Sequence, residues 1–210
     1  MPNRKKNITE AKGTILLVTA TKAEAVYFSQ MRKDCRYMNL TVVNAGAKSL
    51  KDLIDKAAHL RHGGRYQTVW ALFGFDDVST NVDEVNEFKS DYALRKKVNL
   101  CWFNPCFEIW FALHLNSNMG YESDPEKVRD VVRKALPGFQ MSDEYLLTKG
   151  LNLHLMLFPR HAFADLAARK MNENEKYNLG LEVTSMPSFD DDITEICGKA
   201  DMSHNQKVFK

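Results

Sequence analysis

Four short apolar runs rich in β-branched and aromatic residues punctuate the first half of the chain, at residues 14–19, 39–44, 68–73 and 98–103. The first is nearly continuous in its hydrophobicity, which marks a strand buried on both faces of a sheet. Helical periodicity fills the intervals. After the first run, Ala23, Val26, Tyr27 and Met31 share one face over residues 22–35. After the second, Leu50, Leu53, Ile54, Ala57, Ala58 and Leu60 repeat at helical spacing. Ser49 supplies an N-cap there, with Asp52 three positions on, and His62-Gly63-Gly64 is a stop signal. Residues 82–96 are charged with a sparse apolar stripe and predict a surface helix. Strands alternating with helices of this length predict an α/β fold, with a mostly parallel central sheet flanked by helices. Sites in such folds collect at the carboxyl ends of the strands.

The second half predicts more helix. Residues 106–115 form an apolar helix with Pro105 in its first turn. A second runs over 124–136, from Asp124-Pro125 to just before Pro137-Gly138. Residues 151–158 suit strand or helix, and 161–171 suit a helix. The expected organisation is a basic arm over 1–12, an α/β core over 13–120, a helical extension packed on it over 121–185, and a polar, acidic, flexible tail over 186–210.

With 210 residues, one compact domain is the default. The hydrophobic share of 44% excludes wholesale disorder and low-complexity classes. A net charge of +2, from 29 basic and 27 acidic residues, hides local bias. Arg4, Lys5, Lys6 and Lys12 stand against Glu10 in the arm, whereas residues 76–87 hold five acids and no base. No window approaches 18 apolar residues, so no membrane partner is expected. The N-terminal stretch has no apolar core of the secretory type. Cys35, Cys101, Cys106 and Cys197 are widely spaced without a CxxC, as for reduced thiols in a cytoplasmic protein. No Walker or dinucleotide glycine loop, GxSxG or HExxH is present.

Carboxylates carry the candidate chemistry. Asp76 and Asp77 follow the third apolar run directly, where at least one projects into the crevice above a sheet. Clustered carboxylates there suit Mg²⁺ or Mn²⁺, which activates water and neutralises charge on a phosphodiester; the competing reading is an Asx-type turn or cap. Glu24 reaches the same crevice or lies on a solvated face. Glu108 is the only charge between Asn104 and His114, and a lone carboxylate on an apolar helix needs a partner: a metal, a base or a helix start. Asn104 is a helix cap in its plainest reading. His114, six residues on from Glu108, does not share its face cleanly. His154 and His161 are core or surface groups, with a two-histidine metal pair as the remote alternative.

Asn104-Pro-Cys-Phe-Glu-Ile-Trp-Phe-Ala-Leu-His114 matches, nearly residue for residue, the Asn-Pro-Cys-Phe-Glu-Leu-Trp helix of the RloB-like proteins. Other matches follow in order: the basic arm, Lys22-Ala-Glu24 with Tyr27-Phe28, Lys51 to Leu60, and Tyr66-Gln-Thr-Val-Trp70. The chain therefore resembles that family of small Toprim-like proteins, encoded with phage-defence and abortive-infection loci and often beside an ATPase. The likeness is good over residues 4–116 and poor beyond.

The resemblance implies a Toprim-like fold whose carboxylates hold Mg²⁺ for phosphodiester chemistry. Site residues carry over unevenly. The family's glutamate after the first strand falls on Thr19, and the first aspartate of its Asp-x-Asp falls on Gly74. Glu24, Asp76 and Glu108 are kept, with Asp77 adjacent. Asp76, Asp77 and Glu24 are the implied metal ligands, with Glu108 beside them as a catalytic group and Lys22, Asn104 and His114 as accessory residues. Two functions are expected. The first is a metal-dependent nuclease of an antiphage system. The alternative is a catalytically degenerate subunit that binds nucleic acid or a partner ATPase without cleaving. Expected partners are nucleic acid, such an ATPase or another defence-complex subunit, and a second copy of the chain through exposed Trp or Phe positions.

Overall fold

A computed structural model describes residues 13–177 and 179–205. The basic arm over 1–12 and the last five residues of the expected tail lie outside that range. Four parallel strands form the sheet: β1 (Ile15–Thr19), β2 (Leu40–Asn44), β3 (Thr68–Gly74) and β4 (Asn99–Phe103), in the order β2-β1-β3-β4. The chain crosses from β1 outward to β2, then back over β1 to β3. The order therefore reverses between β1 and β3, and a crevice opens there at the carboxyl ends.

Helix α1 (Lys22–Asp34) follows β1 and α2 (Leu50–Gly63) follows β2. Between β3 and β4, α3 (Val82–Glu87) continues through a π turn over Phe88–Tyr92 into α4 (Ala93–Lys96). Beyond the sheet come α5 (Glu108–Leu115), α6 (Pro125–Ala135), α7 (Asp143–Leu146), α8 (Leu153–Leu157), α9 (His161–Asn172) and α10 (Met186–Cys197).

Strand alternation sends side chains to two cores. Ile15, Leu17, Trp70, Leu72, Cys101 and Phe103 face α1, α5, α9 and α10. Leu16, Val18, Val69, Ala71, Phe73 and Trp102 face α2 and the α3–α4 helix. All of β1 is buried, as its uninterrupted hydrophobicity requires. The architecture is thus the α/β sheet flanked by helices that the sequence predicts. Among the described residues no helix is long and apolar enough to cross a membrane.

Three local expectations are corrected. Residues 186–197 are a helix, where a flexible polar stretch is predicted. Met186, Phe189 and Ile193 form a buried stripe, and the intervening aspartates each find a partner. Asp192 accepts from Trp70 Nε1 at 2.9 Å, Asp191 from Arg169 at 2.8 Å, and Asp190 lies 3.2 Å from His161 Nε2. Second, α5 starts at Glu108, so Pro105 precedes the helix and is not in its first turn; a cis peptide joins it to Asn104. Third, all three tryptophans are buried, so no exposed indole is available for dimerisation, although Phe163 on α9 is exposed.

Candidate functional site: an acidic cleft bridged by an arginine

The sequence after β1 builds the first wall of the crevice. Thr19 is fully buried, and its hydroxyl donates to the Thr21 carbonyl at 2.8 Å, holding the tight exit from the strand. Thr21 then caps α1. Its hydroxyl accepts from the Glu24 amide at 3.3 Å, while Glu24 Oε2 accepts from the Thr21 amide at 2.8 Å, a complete capping box. Glu24 is therefore neither on a solvated face nor free. It is wholly buried, and its Oε1 has no hydrogen-bond partner among the described residues. Burial, reinforced by the nearby charge of Asp77, pushes its carboxyl well above the usual carboxylate range and favours the protonated form.

The turn after β3 supplies Asp76 and Asp77. Asp77 Oδ2 accepts from the Gly74 amide at 3.1 Å. Its carboxyl rises to about 7, because burial and the charges of Asp76 and Glu108 outweigh that hydrogen bond. At Gly74 the backbone leaves no room for a side chain. A Cβ would come 2.7 Å from Asp77 Oδ2 and 2.9 Å from both Asp76 Oδ1 and the Phe107 amide nitrogen. An aspartate, as the resemblance would place there, does not fit without moving backbone. The departure at this position belongs to the packing of the turn against the segment ahead of α5.

Glu108 starts α5, with its side chain only 5% exposed. Its partner is Arg129, from the middle of α6: Nε donates to Glu108 Oε1 at 2.9 Å. The same guanidinium bonds Asp76 through one terminal nitrogen and Glu126 through the other, the latter at 2.7 Å. One cation thus joins carboxylates from the β3 turn, α5 and α6. Burial works against its charge, but Glu108, Glu126 and Asp76 more than compensate and hold Arg129 firmly protonated. Asp76 is the compromise: desolvation raises its carboxyl and Arg129 opposes that rise. A cavity of about 250 Å³ opens beside this group, lined by Asp77, Glu108, Glu126, Arg129, Arg133 and Gln140 among others.

The remaining candidates lie elsewhere. Lys22 pairs with Asp143 of α7 at the surface. Asn104 does not cap α5; its amide donates to the Val183 carbonyl at 2.9 Å and its Oδ1 accepts from Tyr121 at 3.1 Å. His114 is buried, with Nδ1 2.8 Å from the Trp110 carbonyl, and burial lowers it to about 3. His154 and His161 each face a different aspartate: His154 Nδ1 lies 2.9 Å from Asp34, and His161 pairs with Asp190. Among the described residues no group of three or more His, Cys, Asp or Glu side chains is arranged to hold a metal ion.

Sequence reasoning missed Arg129 and the Thr21 cap. A signal existed for each. Thr21 with Glu24 is a capping-box pair, and Arg129 borders the Val128/Val132 stripe that α6 buries.

Taken together, the parallel sheet, the crevice between β1 and β3, and the carboxylates at its mouth define a Toprim-like α/β protein. A family model described as RloB-like protein matches residues 15–190, and the chain belongs to that family. No curated protein and no solved structure matches the chain.

Proposed function

We propose that this protein is a Toprim-like module of an antiphage defence system that acts by binding nucleic acid together with a partner subunit, without cleaving phosphodiesters itself. The observation that carries this reading is Arg129, whose guanidinium already neutralises Asp76 and Glu108. Mg²⁺ demands near-octahedral coordination by charged oxygens and gives up water reluctantly. Here two of the four expected carboxylates are bound to arginine, burial pushes the Glu24 carboxyl well above the usual range, and Asp77 is pushed up to about 7. The donor set as arranged does not fit that ion. The cleft is also far less repulsive to phosphate than its composition suggests. An ATPase remains the partner that the family resemblance favours, and a second copy of the chain is the other.

The test is fluorescence anisotropy with labelled single- and double-stranded DNA and RNA, run beside a cleavage assay. Binding should persist in EDTA, weaken steeply with salt, and leave the strands intact in Mg²⁺ or Mn²⁺. Metal-dependent cutting that disappears in Asp76→Ala would overturn the reading and establish the nuclease. Failure to bind any of these strands, alone or with the product of the neighbouring gene, would remove the binding role.

A further inference from the structure

The two edges of the sheet are finished differently. At the β4 edge the segment ahead of α10 closes the ladder. The Ser185 amide donates to the Trp102 carbonyl at 3.3 Å and the Asn104 amide to the Val183 carbonyl at 2.9 Å, while Ser185 Oγ accepts from the Trp102 amide at 3.0 Å. At the opposite edge β2 pairs with β1 alone. The Ile15 amide donates to the Asn39 carbonyl and the Ala45 amide to the Thr19 carbonyl, which fixes the phase of that ladder. Thr41 and Val43 therefore turn their main-chain groups toward β1, and Leu40, Val42 and Asn44 turn theirs outward. Leu40 is satisfied locally: its amide donates to the Tyr37 carbonyl at 3.2 Å and its carbonyl accepts from Arg32 Nε at 2.6 Å. The amides and carbonyls of Val42 and Asn44 have no hydrogen-bond partner among the described residues.

Proteins guard such edges with charge, proline, a bulge or a covering segment. Between Arg36 and Lys48 the chain holds neither a charged residue nor a proline. Its pairing with β1 runs from Leu40 to Asn44 without a bulge. Thr41, Val42 and Val43 are half-buried, Asn44 is exposed, and Met38 just ahead of the strand is 79% exposed.

This edge suits an uncharged strand of matching phase. The basic arm does not supply one, because Arg4, Lys5, Lys6 and Lys12 would bring unneutralised cations beside Arg32. A second copy of β2 does. We infer that two copies of this chain join antiparallel through β2, about a two-fold axis at Val43, into a homodimer with one continuous sheet. Val42 of each copy faces Asn44 of the other, and each such pair exchanges both main-chain hydrogen bonds. The two Val43 side chains meet across the axis. The two Arg32 side chains lie at opposite ends of the joint, ~20 Å apart and largely screened from each other. One sheet is inverted relative to the other, so the acidic clefts open at opposite ends and both stay accessible. The interface gives the second-copy partner a surface and shares no residue with the cleft around Arg129, so either reading can fail without the other.

Sedimentation of the full-length protein over a range of concentrations should show a reversible dimer. Val43→Lys sets two ammonium groups directly opposite and Val43→Glu two carboxylates. Each should weaken the dimer about tenfold or more, and an equimolar mixture of the two should restore it. An unchanged far-UV spectrum checks that both variants fold. Under air oxidation Val43→Cys should form an intermolecular disulfide, since opposed residues at such a position stand ~4.5 Å apart at Cα. Thr41→Cys, ~13 Å from its mate in this register, should not. A monomer at every concentration, a dimer indifferent to Val43→Lys, or equal crosslinking at the two positions overturns the inference. So does slow hydrogen exchange of the Val42 and Asn44 amides in a monomer, which would show that the chain covers this edge itself.

Discussion

Asp77 hangs over the amide of Gly74 with the charges of Asp76 and Glu108 on either side, and this sets its proton affinity. Its carboxyl moves from 3.8 to about 7 on folding. Between those values the folded chain holds a proton that the unfolded chain has released, so stability falls as pH rises from about 4 to about 7 and levels off above. Asp77→Asn removes the titration while keeping an oxygen for the Gly74 amide. Urea unfolding should find the variant close to wild type at pH 4 and more stable by ~1–3 kcal/mol at pH 8. A variant that tracks the wild-type pH profile throughout would mean Asp77 ionises as it does in water. Arg129 is the counterpart. Arg129→Ala strands the buried Glu108 carboxylate and should cost ~3–5 kcal/mol, with much of the loss recovered by adding Glu108→Gln. Equal stability of single and double variants in thermal melts would show that the pair is not coupled.

At the scale of elements, α10 shows how a local pattern is misjudged. Three successive aspartates at 190–192 suggest a solvated stretch, because their partners are invisible in one dimension. Those partners come from β3 and α9, up to 122 residues away for Trp70. The stripe of Met186, Phe189 and Ile193 packs into the same core as α1 and α5. Phe189 contacts Phe28 and Trp70 edge-on, with ring centroids 5.9 and 5.4 Å apart. Phe189→Ala should destabilise by ~3–5 kcal/mol, the cost of a large core cavity. A change below ~0.5 kcal/mol in chemical denaturation would restore the flexible reading of this segment. By contrast, α2 was legible because everything that defines it is local: the Ser49 cap, the apolar repeat and the closing glycines. The structure finds Ser49 Oγ accepting from the Asp52 amide at 3.2 Å.

For the whole molecule, the two cores lie on opposite faces of one sheet and share its strands. Loss of either leaves apolar strand faces in water, so unfolding should be a single transition. Tryptophan emission reports both faces, since Trp110 lies in one core and Trp102 in the other. Its denaturant midpoint should coincide with that of far-UV circular dichroism. Distinct midpoints would show that the layer of α6–α10 comes away before the sheet.

The sheet and its flanking helices were readable because hydrophobic periodicity is a property of neighbours along the chain, and a parallel sheet buried on both faces writes it plainly. The candidate carboxylates were readable for a related reason, since a strand end points to the crevice wherever the strand lies. What the carboxylates do was not readable. Glu24 looked able to reach solvent and is wholly buried; Glu108 needed a partner that its own helix could not supply. That partner, Arg129, depends on which face of α6 meets α5 and on where the β3 turn comes to rest. The sequence by itself determined the α/β class, the strand ends and the acids gathered there. Only the tertiary structure decided that an arginine stands among those acids, because charge compensation depends on distance in space and dielectric, which packing alone sets.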